Sequence, residues 1–123
     1  MILVDTSVWI DHLRRPDTAL LRLMEARRIR MHPMILGELA CGGMGDRAER
    51  LREWRGLPRI ESLDHDEVVD WIESESLAGK GIGFLDAHIL LSALCGNAKL
   101  WTRDRSLRSL ATHFGAAFPE PGA

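Results

Sequence analysis

An α/β fold, with a mostly parallel sheet covered by helices on both faces, is what this chain of 123 residues predicts. Three observations carry that reading. Ile2-Leu3-Val4 is an unbroken apolar run, the mark of a strand buried on both sides. Strand-like runs then alternate with longer helical patterns, the order expected of a crossover-connected sheet. The first strand and the last confident one, Lys99-Leu100-Trp101-Thr102, are each followed at once or nearly so by an aspartate, Asp5 and Asp104. In open α/β sheets, ligands bind in the crevice beyond the carboxyl ends of the strands.

The elements follow in order. Thr6-Ser7 offer capping hydroxyls for a short helix from Val8 to about Leu13, closed by Arg14-Arg15-Pro16. Asp17 caps a second helix, Thr18 to Arg27, with Leu20, Leu21, Leu23 and Met24 as an apolar stripe. Ile29-Arg30-Met31 alternates as a brief strand. Pro33 sits in the first turn of a helix through Cys41, which Gly42-Gly43 stop. Asp46 to about Gly56 is amphipathic, with Ala48, Leu51 and Trp54 inward. Leu57 to Leu63 is a connector with room for a minimal strand. Asp64 and Glu67 open a helix to about Leu77 with Val68, Trp71 and Ile72 inside. Gly79, Gly81 and Gly83 make a flexible loop before a helix from Phe84 to Leu94. Ser106 to Phe114 is helical, and Ala116-Ala117-Phe118 forms a last edge strand stopped by Pro119 and Pro121. One domain over residues 1–123 is expected, with a loose tail after about residue 118.

Composition narrows the class. Apolar residues make up 46% of the chain, ordinary for a soluble globular protein. No run reaches the ~20 apolar residues that span a bilayer, and Asp5 interrupts the N-terminal run before it resembles a signal peptide. A cytoplasmic protein without membrane contact is expected. Cys41 and Cys95 sit in apolar helical contexts and read as reduced core thiols, without zinc-site spacing. The net charge of −2 is not that of a dedicated nucleic-acid binder. Fourteen of the sixteen basic residues are arginine, which suits bidentate phosphate contacts, although genome composition produces the same bias.

Most acids lie on solvated helix faces or at helix starts, where negative charge is favoured. Asp11 reads as surface. Four acids resist that account. Asp5 ends the buried strand, and Glu38 lies within Met34-Ile35-Leu36-Gly37-Glu38-Leu39-Ala40. Asp86 opens a helix that is apolar all round, and Asp104 follows the Leu100-Trp101 strand. A buried carboxylate is paired, protonated or bound to metal. Each has a plain structural alternative: an arginine partner for Asp5 or Asp104, a helix cap for Asp86. If the four converge, they repel unless a cation sits among them. No histidine or cysteine is spaced with them, so the donors are oxygens, which select hard ions such as magnesium or manganese. Such ions serve phosphoryl chemistry, singly or in pairs.

Asp5-Thr6-Ser7, Glu38-Leu39 followed by small residues, Asp86-Ala87-His88-Ile89 and Thr102-Arg103-Asp104 stand in the order of a PIN-domain nuclease. The Asp-Thr-Ser-x-Trp opening and the length resemble the VapC-type toxins of bacterial toxin–antitoxin pairs. The resemblance covers essentially the whole chain. It implies a three-layer α/β/α sandwich and a Mg2+- or Mn2+-dependent endoribonuclease acting on RNA, a fragment of tRNA or an rRNA loop being the target it suggests. It also implies a homodimer, neutralised by a cognate VapB-type antitoxin. Carried over by position, Asp5, Glu38, Asp86 and Asp104 are catalytic metal ligands, and Ser7 and Thr102 are hydroxyls that orient them.

Other readings fit less well. Haloacid-dehalogenase-like phosphatases need a second aspartate where Ser7 stands. Receiver domains need a late-strand lysine, and Lys99 precedes Trp101. A catalytically inactive PIN-like module binding RNA or protein is the alternative of a different class, and the intact set of four acids speaks for the enzyme. Trp9, Trp54 and Trp71 read as core, with Trp54 the best candidate for an interface. Arg14, Arg15, Arg28, Arg103 and Arg105 are candidates for an RNA path, and Arg103 and Arg105 are favoured because they flank Asp104. The five histidines, His12, His32, His65, His88 and His113, show no ligand spacing and are placed at the surface or in the core.

Overall fold

The computed structural model describes residues 1–121. Its elements run β1 (Ile2–Val4), α1 (Thr6–Arg14), α2 (Thr18–Glu25), β2 (Ile29–Arg30), α3 (Pro33–Cys41), α4 (Arg47–Arg55), α5 (His65–Ser74), α6 (Phe84–Cys95), β3 (Lys99–Trp101) and α7 (Arg105–His113). The sheet has the order β2-β1-β3, parallel throughout, with Ile2 beside both Ile29 and Lys99. Ile2, Leu3 and Val4 are all fully buried, so β1 is covered on both faces. One packed set of helices links α1 to α3 and α3 to α4; the other gathers α5 and α7 around α6. This is the expected α/β/α sandwich.

Two expected strands shrink to bridges. Met31 pairs with Arg59, and Leu100 pairs with Ala117. Pro58, Pro119 and the short flanks leave no length for a longer ladder. The segment after Phe118, expected to be loose, carries Glu120, whose carboxylate reaches Arg103 and Arg108. Gly122 and Ala123 of that tail lie outside the described residues.

Four helices end in the same way. After α2, α5, α6 and α7 a residue takes a left-handed φ: Arg27 (59°), Ser76 (54°), Asn97 (54°) and Gly115 (72°). The next amide then donates to the carbonyl five residues back, as in Arg28 to Leu23 and Ala98 to Ala93. After α2, α6 and α7 this reversal feeds the chain straight into a sheet position. Arg27 and Asn97 are not glycine, so those two reversals each carry a backbone strain of about 1 kcal/mol, which the sheet pairing that follows offsets.

The core differs from expectation in detail. Trp9 and Trp54 are buried and meet edge to face, with ring centroids 6.1 Å apart. Ala48 is exposed because α4 leans on the core through Leu51 and Trp54 alone. Leu21 is exposed too, since Leu20 is the one buried position of α2. Cys41 and Cys95 are free but exposed, not core thiols. Each is the last residue of its helix, beyond the stretch that packs inward. No helix among the described residues is long and apolar enough to cross a membrane.

His32, wholly buried, caps α3. Its Nδ1 accepts from the Met34 amide at 3.0 Å, so the ring proton sits on Nε2, 3.1 Å from Ser92 Oγ. Ser92 in turn donates to the His88 carbonyl. Burial, and then the neighbouring His88, push the His32 pKa down to about 4. An unfolded histidine takes its proton near pH 6.5, so acid favours the unfolded chain first. His32 therefore withdraws about 3 kcal/mol of stability as pH falls from 6.5 to 4. Urea unfolding at pH 7 and pH 4.5 will measure this slope. His32→Asn, which keeps a capping acceptor, will flatten it relative to the unaltered chain.

Candidate active site

Three of the four singled-out acids stand at helix N-termini. Asp5 precedes α1, Asp104 precedes α7, and Asp86 lies in the first turn of α6. The partial positive charge of those helix ends complements an acidic side chain at each. The sheet brings two of them to one edge. β1 and β3 are neighbours, and the Asp5 amide donates to the Trp101 carbonyl at 2.9 Å. Asp5 and Asp104 therefore sit at adjacent strand ends on the carboxyl edge of the sheet.

Asp5 is buried and tightly held. Ser7 Oγ and Thr102 Oγ1 both donate to its Oδ2, each at 2.8 Å. The same two hydroxyl oxygens accept backbone amides: Arg103 N–H donates to Ser7 Oγ at 3.0 Å, and Asp104 N–H to Thr102 Oγ1 at 3.1 Å. Each amide fixes the direction in which its hydroxyl must donate. Asp104 Oδ2 caps α7 through the Leu107 amide at 2.9 Å. Asp86 Oδ2 meets the Gly83 amide at a long 3.4 Å. The helix cap expected as the alternative for Asp86 is thus real, while among the described residues Asp104 caps α7 instead of pairing with an arginine; each cap uses one oxygen. Among the described residues, the second oxygen of Asp5, Asp86 and Asp104 has no protein donor.

Glu38 departs from expectation by being exposed. The apolar neighbours on either side in sequence point inward at Ile35 and Leu39, which leaves Gly37 and Glu38 on the open side of α3. It nevertheless belongs to the cluster electrically. The Asp86 pKa is raised, first by burial and then by the charges of Asp5, Asp104 and Glu38, against the lowering effect of the Gly83 amide. The four acids share one field, and it is repulsive.

A cation is the physical remedy, and the donors fit one. They are all carboxylate oxygens, with one oxygen anchored and one open on three of them. Among the described residues, no three His, Cys, Asp or Glu side chains close around a single point. All-oxygen donors of this kind would suit a hard ion that takes one or two carboxylates and keeps several waters.

Arg103, expected on an RNA path, is fully engaged elsewhere. Its guanidinium pairs with Asp11 at 2.8 Å, Asp17 at 3.0 Å and Glu120 at 2.6 Å. Those three partners hold it protonated far above the usual range. Glu120 also pairs with Arg108 at 3.1 Å, and Arg108 donates to the Thr102 carbonyl. Sequence reasoning missed this clamp on the backbone that carries the partners of Asp5. Its pairings with Asp11 and Asp17 span 92 and 86 residues and leave no local signal. Arg105 remains exposed beside Ser106.

The PIN domain family model matches residues 2–112. The chain is 41% identical over 121 residues to Ribonuclease VapC32 of Mycobacterium tuberculosis, in both strain CDC 1551 / Oshkosh and strain H37Rv, with 98% of each chain covered. In fold it is similar to the crystal structure of PAE2754 from Pyrobaculum aerophilum, with a TM-score of 0.55 at 20% identity, covering 94% of this chain and 89% of that one.

Removing the clamp will cost stability. Arg103→Gln strands three carboxylates and is expected to lower the unfolding free energy by about 2 kcal/mol. Glu120→Gln, which spares Asp11 and Asp17, will lower it by about half as much. Chemical denaturation of both variants at one salt concentration measures the pair.

Proposed function

This chain belongs to the PIN-domain family, in its VapC-type branch, and from that premise we propose that it is a toxin endoribonuclease that hydrolyses RNA phosphodiester bonds. The observation that carries the reading is the set of four carboxylates with open oxygens in one repulsive field. Asp5, Glu38, Asp86 and Asp104 are the residues that would hold Mg2+, or Mn2+ in its place. When bound, such an ion polarises the scissile phosphate and lowers the pKa of the attacking water.

The chain's own residues do the rest. Ser7 and Thr102 hold Asp5 by one oxygen, so its other oxygen keeps a fixed direction. The Gly83 and Leu107 amides hold Asp86 and Asp104 by one oxygen each, which leaves the other free to meet an ion. Glu38, exposed as Asp104 is, is the one best placed to orient a water, because its carboxylate makes no hydrogen bond or ion pair among the described residues. A cognate VapB-type antitoxin, a homodimeric state and a cytoplasmic setting complete the proposal. They rest on the branch of the family to which the chain belongs.

Antitoxin-free protein should cut a pool of structured RNAs with Mg2+ or Mn2+ and stop in chelator. Asp5→Asn should abolish cutting. Ser7→Ala should weaken it about tenfold, as expected when a carboxylate loses an orienting partner. Cutting that persists equally in chelator and in Asp5→Asn would refute the metal-dependent reading. An inert unaltered chain would instead favour the binding module.

A further inference from the structure

A cavity of about 340 Å³ opens beside Glu38, between the end of α1, the end of α3 and the loop that joins α3 to α4. Its walls include Ile10, Leu13, Leu39 and Met44, and its polar rim carries Arg14 and Arg50. Ile10 is one of the few large apolar side chains left substantially exposed, at 40%. Arg14 and Arg50 form no ion pair among the described residues, whereas Arg103 nearby in function is saturated.

The loop is glycine-rich without a reason internal to the fold. A Cβ at Gly43 or Gly45 would meet nothing within 4 Å, and neither residue has a left-handed φ. Packing and backbone strain therefore do not demand glycine there. The loop is also held in place. Arg47 donates to the Gly42 and Ala40 carbonyls, and Arg50 Nε donates to the Gly45 carbonyl at 3.1 Å. A bare backbone that is pinned yet unpacked leaves room for a ligand to come close.

We propose that this cavity is a nucleotide subsite for the RNA strand next to the scissile bond. An unstacked base lies against Ile10, Leu13 and Met44, while Arg14 and the remaining Arg50 N–H groups meet its phosphate. The apolar wall with a cationic rim matches the two faces of one nucleotide. The shared wall at Glu38 connects it to the acids. The inference rests on the nuclease reading for its link to cleavage, but binding tests it separately.

The probe is a fluorescein-labelled single-stranded RNA of mixed sequence, titrated in chelator into the full chain, Gly43→Leu and Arg14→Gln. Gly43→Leu fills the cavity from a position with free space, and an unchanged Tm will show that the fold survives. Its affinity should fall about tenfold, the scale of one lost base contact. Arg14→Gln should reduce the salt dependence of binding by about one ion. With Mg2+ present, the Gly43→Leu defect should appear in KM rather than in kcat. Unaltered binding in both variants overturns the subsite, while cleavage by the unaltered chain keeps the nuclease reading intact. An unaltered chain that cuts RNA, with Gly43→Leu impaired only in antitoxin binding, assigns the cavity to a protein partner and overturns the subsite as well. An unaltered chain that neither binds nor cuts RNA removes both readings.

Discussion

One carboxylate oxygen, Asp5 Oδ2, receives two hydroxyls from opposite ends of the chain. Ser7 comes from the first turn of α1, and Thr102 from ninety-seven residues away at the end of β3. The parallel pairing of β1 with β3 makes the meeting possible, because it brings both strand ends to the same edge. Without that register Thr102 could not reach Asp5, and Asp104 would cap α7 somewhere else. The fold and the acid cluster are therefore specified by the same contact. Burial sharpens the point, since a buried carboxylate without partners is costly and this one has two.

Charge is balanced in two separate places. In the acid cluster, like charges gather and raise the Asp86 pKa, with only helix N-termini to oppose them. Around Arg103, opposite charges close on one another and leave little field outside. The two arrangements meet at residues 102–104, where the Arg103 backbone serves Asp5 through Ser7 while its side chain serves the tail. A fully engaged arginine beside an open acid cluster keeps the cation in its clamp and off the carboxylates.

The sequence was legible wherever a pattern was local. The Ile2-Leu3-Val4 run reads as a doubly buried strand and is one, whereas the roles of Ser7 and Thr102 came only with the family resemblance, since Thr102 meets Asp5 across ninety-seven residues. Asp86 stood out because its helix buries Ala87, His88, Ile89, Leu90, Ser92 and Ala93, and a charge there needs a reason. Long-range matters were not legible. Glu38 sits among apolar letters yet faces out, since one helix turn separates Leu39 from Ile35 on the inner side. Arg103 looked available because its partners Asp11, Asp17 and Glu120 are distant in sequence. Cys41 and Cys95 looked buried because apolar composition cannot tell the last residue of a helix from the ones before it.

The distance between the two halves of the Asp5 contact also sets an order in time. Synthesis delivers Asp5 and Ser7 at the outset and Thr102 near the finish. A nascent chain still short of β3 has no strand to pair on that side of β1, and its first carboxylate is held by Ser7 alone. The acid cluster thus matures only when most of the polypeptide has left the ribosome.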